Sequence, residues 1–261
     1  MDADEADTRL AMAIADLSGE GFARALDDWL TAVLEQDNTT VLAYFQGRGP
    51  VLLHKRSPTR AVHENLDRTY LGGAYLLDPF HDLHTRRAPR GVYRLSEIAP
   101  DQFHRNPYFL DYYANTTMVD ELAFVGYPAP GVSVQVCLGR DARSNARFSS
   151  REMARARQVS PIVVALIERH WAELSPQGEH AEGDVTRQLI DSLDAAHGVG
   201  LSRRQAEVAL MILRGHSSVS IGLGLGISPQ TVKVFRKQLY RKCGISSQAE
   251  LFTLLLPLLG Q

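Results

Sequence analysis

The chain is poor in cysteine, in tryptophan and in long apolar runs, and each shortage excludes a class of protein. Cys137 and Cys243 are the two cysteines among 261 residues. They fall in different expected domains, so no disulfide framework is predicted, and no cysteine spacing of the zinc-holding kind exists. The greasiest stretch, residues 249–259, is too short to span a bilayer and contains Glu250 and Pro257. The first ten residues, MDADEADTRL, are acidic where a secretory signal would be basic. These features together predict a cytoplasmic protein. Nucleophile elbow, phosphate-binding loop and dinucleotide fingerprint are all missing. With no paired acid/base signature either, neither an enzymatic activity nor a cofactor is expected, and no metal site. The alternating strands and helices of a phospho-acceptor receiver domain are absent as well.

One further absence is local. No acid lies between Ile227 and Ser246, whereas Lys233, Arg236, Lys237, Arg241 and Lys242 all fall there. Ordinary surface helices mix signs to gain pairs one turn apart. Residues 201–261 hold 8 Lys+Arg against 2 Asp+Glu, a balance of +6, which leaves −8 on the rest of a chain whose net charge is −2. Only the C-terminal part therefore has the balance of a nucleic-acid binder. Within it, Ser228 is a natural N-cap and Pro229 suits the first helical position, where its missing N–H costs nothing. Val232, Phe235, Leu239 and Cys243 then recur at helical spacing and predict an apolar stripe. A helix with one greasy and one basic or amide face fits a DNA major groove.

The residues before it complete a pattern. Ser202 can cap a helix carrying Val208, Met211 and Ile212 and ending at Gly215. A short helix over about 217–225 would present Val219, Ile221, Leu223 and Leu225. Gly226 and a turn then lead to the basic helix. This is a helix-turn-helix in a small bundle. The segment closely resembles the C-terminal DNA-binding domain of LuxR-type transcriptional regulators. The match lies in Leu201-Ser202, Gln205, Glu207-Val208, Gly215, Ser217, Ile221, Leu225, Ile227-Ser228, Thr231-Val232-Lys233, Leu239, Lys242, Ile245 and Glu250-Leu251, without gaps. The resemblance implies that Lys233, Val234 and Lys237 face base edges or nearby phosphates. It places Thr231, Arg236 and Arg241 on the backbone, with Ser228 and Gln230 at the DNA-facing start. Departures from the family pattern stand at Ser220, Gly222, Phe235, Gln238, Cys243 and Gln248. Gly222, Gly224 and Gly226 predict a scaffold helix less stable than the family norm, since an interior Gly costs roughly 0.5–1 kcal/mol against Ala. A last helix over 246–259 stacks Leu251, Leu254, Leu255 and Leu258, for dimerisation or for the domain's own core.

The larger acidic part reads as α+β. Helical stripes (Leu10, Ile14, Leu17; then Phe22, Leu26, Trp29, Leu30, Val33, Leu34) flank a break at Gly19 and Gly21. Residues 39–45 and 51–54 form an expected hairpin about Gly47-Arg48-Gly49-Pro50. A helix over 59–71 would place Val62, Leu66 and Tyr70 together. Residues 74–113 are aromatic and broken by Pro79, Pro89, Pro100 and Pro107. Residues 121–127 and 132–138 make a second hairpin, the latter alternating as a half-buried strand. Ser149 with Glu152 is a capping box opening a long helix to about Trp171, with Pro161 inside. The arrangement is one antiparallel sheet with helices on both sides. It resembles the GAF- or PAS-like sensor domains, autoinducer-binding domains among them, that LuxR-type regulators carry. The expected division is a sensing and dimerisation domain over 1–172, a linker over 173–200 with a short helix in it, and the all-α helix-turn-helix domain over 201–261.

Tyr70, Tyr75 and Asp78-Pro79 resemble the Tyr…Tyr…Asp-Pro pattern with which autoinducer-binding domains hold acyl-homoserine lactones. The resemblance implies a carboxylate accepting an amide N–H. Here the spacing to Asp78 is one residue short, Leu66 stands where that family has Trp, and Trp29 and Trp171 are the chain's two tryptophans. An acyl-homoserine lactone is therefore one candidate and some other small organic molecule the favoured one. Tyr44, Phe80, Tyr93, Tyr108 and Tyr112 complete the expected aromatic pocket. His81, His84 and His104 read as scattered surface histidines. The sequence thus predicts a ligand-responsive, dimeric DNA-binding regulator. The alternative is a ligand-independent regulator whose N-terminal domain only dimerises or binds a protein.

Overall fold

A five-stranded antiparallel sheet in the order β2-β1-β5-β4-β3 forms the frame of the N-terminal half. The computed structural model describes residues 3–106, 108–176 and 185–259, without the side chains of Ala3 and Asp111. Helices α1 (Ala3–Ala15) and α2 (Phe22–Leu34) precede strands β1 (Asn38–Phe45) and β2 (Arg48–Arg56). Short helices α3 (Arg60–His63), α4 (Pro79–Thr85) and α5 (Leu95–Ile98) and strand β3 (Gly91–Arg94) follow. Strands β4 (Met118–Ala129) and β5 (Val132–Asp141) then lead to the long helix α6 (Ser150–His170). The helices α7 (Val185–His197), α8 (Arg203–Leu213), α9 (Ser218–Leu225), α10 (Pro229–Cys243) and α11 (Gln248–Leu259) end the chain.

The chain folds into two compact units. One comprises Met1–Glu64, Leu83–Ile98 and Thr116–Ala181, the other Asn65–Asp82, Ala99–Asn115 and Glu182–Gln261. The units are not colinear with the sequence: the aromatic segments 65–82 and 99–115 fold with the C-terminal helices. Part of the expected linker, 177–184, lies outside the described residues. The helix expected in it is α7, and its Leu189 and Leu193 are fully buried against the bundle of α8 and α11.

In the first unit, α2 and α6 cover one face of the sheet. Leu26, Leu30 and Leu34 of α2 and Ala156, Val163 and Ile167 of α6 share a core with Val41, Phe124, Val134 and Val136. The capping box forms as read: Glu152 N donates to Ser149 Oγ, and Ser149 N to Glu152 Oε2. Pro161 lies inside α6 with its ring exposed. In α1 the expected stripe shifts. Ile14 is half exposed and Ala13 is buried, because the packed face runs through Ala6, Leu10, Ala13 and Leu17. Pro50 lies within β2 and not in the turn, which an edge strand tolerates. The expected continuous helix over 59–71 breaks into α3 and a π-turn at Leu66–Tyr70, although Val62, Leu66 and Tyr70 are all buried.

Strand β5 departs most from its alternating pattern. It lies at the centre of the sheet and is buried on both faces, Ser133 and Gln135 as completely as Val134 and Val136. Alternation marks the faces but not what covers them.

In the second unit, Ser202, Ser217 and Ser228 cap α8, α9 and α10, each accepting from the backbone N–H three residues on. Gly226 and Gly244 end α9 and α10 in the left-handed conformation, at φ +65° each. Val232 and Leu239 of α10 are fully buried, and Phe235 and Cys243 partly. On α9 only Ile221 and Gly222 are buried; Leu223 is 81% exposed and Val219 58%, so the expected four-residue apolar face reduces to one side chain. Leu251, Leu255 and Leu258 of α11 are buried within the chain, against α7, α8 and the 3-10 turn Ala74–Leu77.

Candidate functional site

Helix α10 and the surroundings of Asp78 carry most of the residues singled out from the sequence. On α10, Gln230, Lys233, Val234, Lys237 and Arg241 are exposed and recur at three- and four-residue spacing, which places them on one side. No acid occurs on the helix. Ser228 Oγ accepts from Thr231 N at 3.0 Å and bonds Thr231 Oγ1 at 2.8 Å, so both hydroxyls are engaged at the helix start. Arg236 turns along the helix: its Nε donates to Tyr240 Oη at 3.1 Å, its guanidinium lies 5.3 Å from that ring's centre, and Nη2 reaches Gln248 Oε1 at 3.5 Å. Lys242 Nζ donates to the Gly200 carbonyl at 2.8 Å and to Gln205 Oε1 at 3.0 Å. Gln205 Nε2 in turn donates to Gln238 Oε1 at 3.2 Å. Two side chains of α10 therefore fix its pitch against the start of α8, and the exposed basic face remains available to a polyanion.

Around Asp78, Tyr70 Oη donates to Oδ2 at 2.6 Å and Phe80 N to Oδ1 at 2.8 Å. Burial pushes the Asp78 carboxyl up to about 6, against the hydrogen bonds from Tyr70, Phe80 and Tyr108, which favour the charged form. The rings of Tyr70 and Tyr112 stack at 5.7 Å, and those of Tyr112 and Tyr108 at 5.5 Å. Tyr75 approaches Tyr70 at 6.4 Å and meets His81 edge-on at 5.0 Å. His81 is buried, contrary to its reading as a surface histidine, because it is held inside this cluster. Tyr70, Tyr75, Asp78, Phe80, Tyr108 and Tyr112 thus belong to the second unit and its aromatic segments. A carboxyl poised near pH 6 among phenols can accept an amide or hydroxyl proton when ionised and donate one when neutral.

Tyr44 and Tyr93 belong to the first unit. Tyr44, on β1, is buried and stacks with His84 at 5.9 Å. Tyr93, on β3, is half-buried, and its hydroxyl donates to the Pro89 carbonyl at 2.5 Å. The sequence reading missed the polar residues beside Tyr44. Ser133 is opposite it on β5 and bonds His84 Nδ1 at 2.7 Å, and Gln135 is opposite Leu42. These were the off-positions of an alternating strand; their type was visible, their burial was not. An open surface cavity of about 800 Å³ between α1 and α2 is lined by Asp4, Arg9, Met12, Arg24 and Asp28 among others, and by none of the eight residues proposed for a pocket. Among the described residues, no group of three or more His, Cys, Asp or Glu side chains is placed to hold a metal ion. Also among the described residues, no helix is long and apolar enough to cross a membrane.

Residues 199–255 match the family described as bacterial regulatory proteins, luxR family. Over 185 residues the chain is 32% identical to an HTH-type transcriptional regulator from the exeN 3′ region of Aeromonas salmonicida, which covers 69% of this chain and 93% of that protein. The fold is similar to that of the VqsR LBD domain from Pseudomonas aeruginosa, at a TM-score of 0.55 and 21% identity, over 65% of this chain and 98% of that one. A weaker likeness, at a TM-score of 0.42 and 13% identity, extends over 97% of this chain and 98% of Escherichia coli SdiA.

Proposed function

The chain belongs to the LuxR family of bacterial regulatory proteins, and from that premise we propose that it is a transcription regulator whose DNA binding responds to a small organic molecule. Its role as a LuxR-type helix-turn-helix regulator, and not an enzyme, follows from the family. The response to a ligand rests on one observation: a carboxyl raised to about 6 that accepts from Tyr70 and Tyr108, whose rings both stack on Tyr112. Keeping an ionisable group in such surroundings costs stability, and a group of that kind is a candidate for a specific recognition task. The fold likeness to the VqsR LBD domain supports the same reading. Asp78 would accept a polar N–H or O–H of the ligand, and the ring faces of Tyr70, Tyr108 and Tyr112 would pack on its apolar part. Tyr75 and Phe80 would close the sides. An acyl-homoserine lactone fits this chemistry, as do other amides and alcohols of similar size.

On α10, Lys233, Val234 and Lys237 would read base edges or nearby phosphates. Gln230, Arg241 and the capping pair Ser228 and Thr231 would hold the backbone. Arg236 would reach a phosphate only by leaving Tyr240. The protein would act as a homodimer in the cytoplasm, where its DNA is. Since the apolar face of α11 is consumed inside the chain, the dimer would use another surface.

Asp78 already accepts from Tyr70, Phe80 and Tyr108 within the chain, which favours a second reading, a self-contained aromatic core with no ligand. Native mass spectrometry of the full chain, purified from its producing cells, separates the two. A dimer mass carrying a stoichiometric small-molecule adduct, lost in Asp78→Ala, is the expected result. A bare chain under conditions that preserve the dimer, with no thermal shift on extracts of the cells, would establish the second reading.

A further inference from the structure

The turn between α8 and α9, which sets where the reading helix α10 begins, takes part of its hydrogen bonding from the aromatic segment. The carbonyl of Leu213, at the end of α8, accepts from Asn106 Nδ2 at 3.2 Å. The Gly215 carbonyl accepts from Gln102 N at 2.9 Å. Ser217 N, at the cap of α9, donates to Asp101 Oδ1 at 3.0 Å. Arg214 Nε donates to the Leu76 carbonyl at 3.1 Å, and its Nη1 lies 3.8 Å from Asp82 Oδ1. Helix ends leave backbone groups without intrahelical partners, and at this turn residues more than a hundred positions upstream provide several of them.

The fit is close. Asn106 is fully buried, and its Oδ1 accepts from Phe109 N at 2.7 Å, so one amide bridges the turn and the aromatic segment. Gly215 has φ +91°, and a Cβ there would lie 2.7 Å from Asn106 Nδ2 and 3.0 Å from Phe103 Cα. Phe103 meets Tyr108 at 6.1 Å, Phe109 at 5.4 Å and Tyr113 at 6.0 Å. Tyr108 leads on to Tyr112, Tyr70 and Asp78. A continuous run of packed side chains therefore joins Asp78 to the turn. Meanwhile α9 has little to hold itself with: two of its eight residues are glycine, and a single apolar side chain is buried. The exposed face of α10 is not covered, so this contact supports the reader and does not block it.

We propose that residues 101–106 are a clasp through which the order of the aromatic cluster sets the order of the α8–α9 turn, so that loosening the cluster weakens DNA binding. The coupling does not depend on which molecule the cluster holds, or on its holding one.

The test uses the full chain and a DNA duplex selected by the wild-type protein from a random-sequence pool. Hydrogen exchange is followed at the amides of residues 213–225, with those of α11, in the same unit, as an internal check of folding. Asn106→Ala and Asp101→Ala are expected to speed exchange at the turn and to weaken binding about tenfold, within the usual range of site-to-site coupling. Tyr108→Phe removes one hydroxyl at Asp78 and keeps the ring. It should also raise exchange at residues 215–217, which a purely local structural role of the clasp would not produce. Wild-type exchange at the turn in Tyr108→Phe, or affinity unchanged or increased in Asn106→Ala with α11 still protected, would overturn the proposal. Lys237→Ala serves as the control. It should lose affinity without changing exchange at the turn, and if it keeps full affinity it is the assignment of α10 that fails, while the exchange results still judge the clasp.

Discussion

Asp78 and Asp27 are buried carboxyls whose net shifts run in opposite directions. At Asp78 burial prevails and raises the group from 3.8 to about 6. Between those values the folded chain binds more proton than the unfolded one, so this group's contribution to stability falls as pH rises through that window. Asp78→Asn, which mimics the neutral form, should remove the dependence: the melting temperature of the wild type relative to the variant is expected to decline from pH 4 to pH 7. A constant difference across that range would contradict the shift. At Asp27 burial also opposes the charge, but His54, Arg56 and Thr39 bond the carboxylate and outweigh it, holding the group well below the usual carboxylate range. Arg56 Nε lies 2.5 Å and Thr39 Oγ1 2.6 Å from its oxygens. The stability it provides is present above 3.8 and lost as pH falls below that value. Asp27→Asn should cost about 2 kcal/mol at neutral pH, less than for a fully buried pair because Arg56 is one-third exposed. Urea unfolding at pH 7 and pH 3.5 would test it, with the cost shrinking at the lower pH.

At the scale of elements, α9 corrects a simple propensity argument. Sequence reading treats its glycines alike, as residues that weaken a helix. The structure separates them. A Cβ at Gly222 would lie 2.7 Å from the Ile227 carbonyl oxygen and 3.3 Å from Pro229 N, so the turn into α10 packs against the bare Cα. At Gly224 the nearest atom is the flexible Met211 Cε, at 3.0 Å. Gly224→Ala is therefore expected to stabilise the protein by about 0.5–1 kcal/mol through helix propensity. Gly222→Ala should destabilise it, because backbone atoms cannot yield as a methionine tip can. Melting curves of the two variants, with opposite signs, are the measurement. The same contrast holds for strands. The hairpins of β1 with β2 and β4 with β5 were legible from alternation and turn residues. Strand β3, four residues with no pattern of its own, owes its place to pairing with β4.

Over the whole molecule, charge and chain order divide differently. The +6 balance of residues 201–261 points to DNA, and the face of α10 that carries Lys233, Lys237 and Arg241 is open. Lys237→Ala should weaken binding to a selected duplex by about 1–3 kcal/mol, read by fluorescence anisotropy at fixed salt. Unchanged affinity would remove Lys237 from the interface. Chain order, by contrast, does not divide the fold: segments 65–82 and 99–115 leave the sheet unit and join the C-terminal helices. A boundary drawn from composition alone falls near residue 172 and misses this.

The sequence by itself determined the helix-turn-helix. Its signals are local: Ser202, Ser217 and Ser228 as caps, Gly226 and Gly244 at left-handed ends, Val232 and Leu239 as the buried stripe, and a basic face without acids. Each acts within a few residues and survives without knowledge of the rest of the chain. Of the aromatic segment, the sequence announced its composition and its Tyr70–Asp78 pairing of residue types. Only the tertiary structure decided that Ser133 and Gln135 are buried, that His81 belongs inside a cluster, and that Asp101 and Asn106 hold the turn before α9. Those outcomes depend on contacts between residues far apart in the chain, which neither periodicity nor capping records.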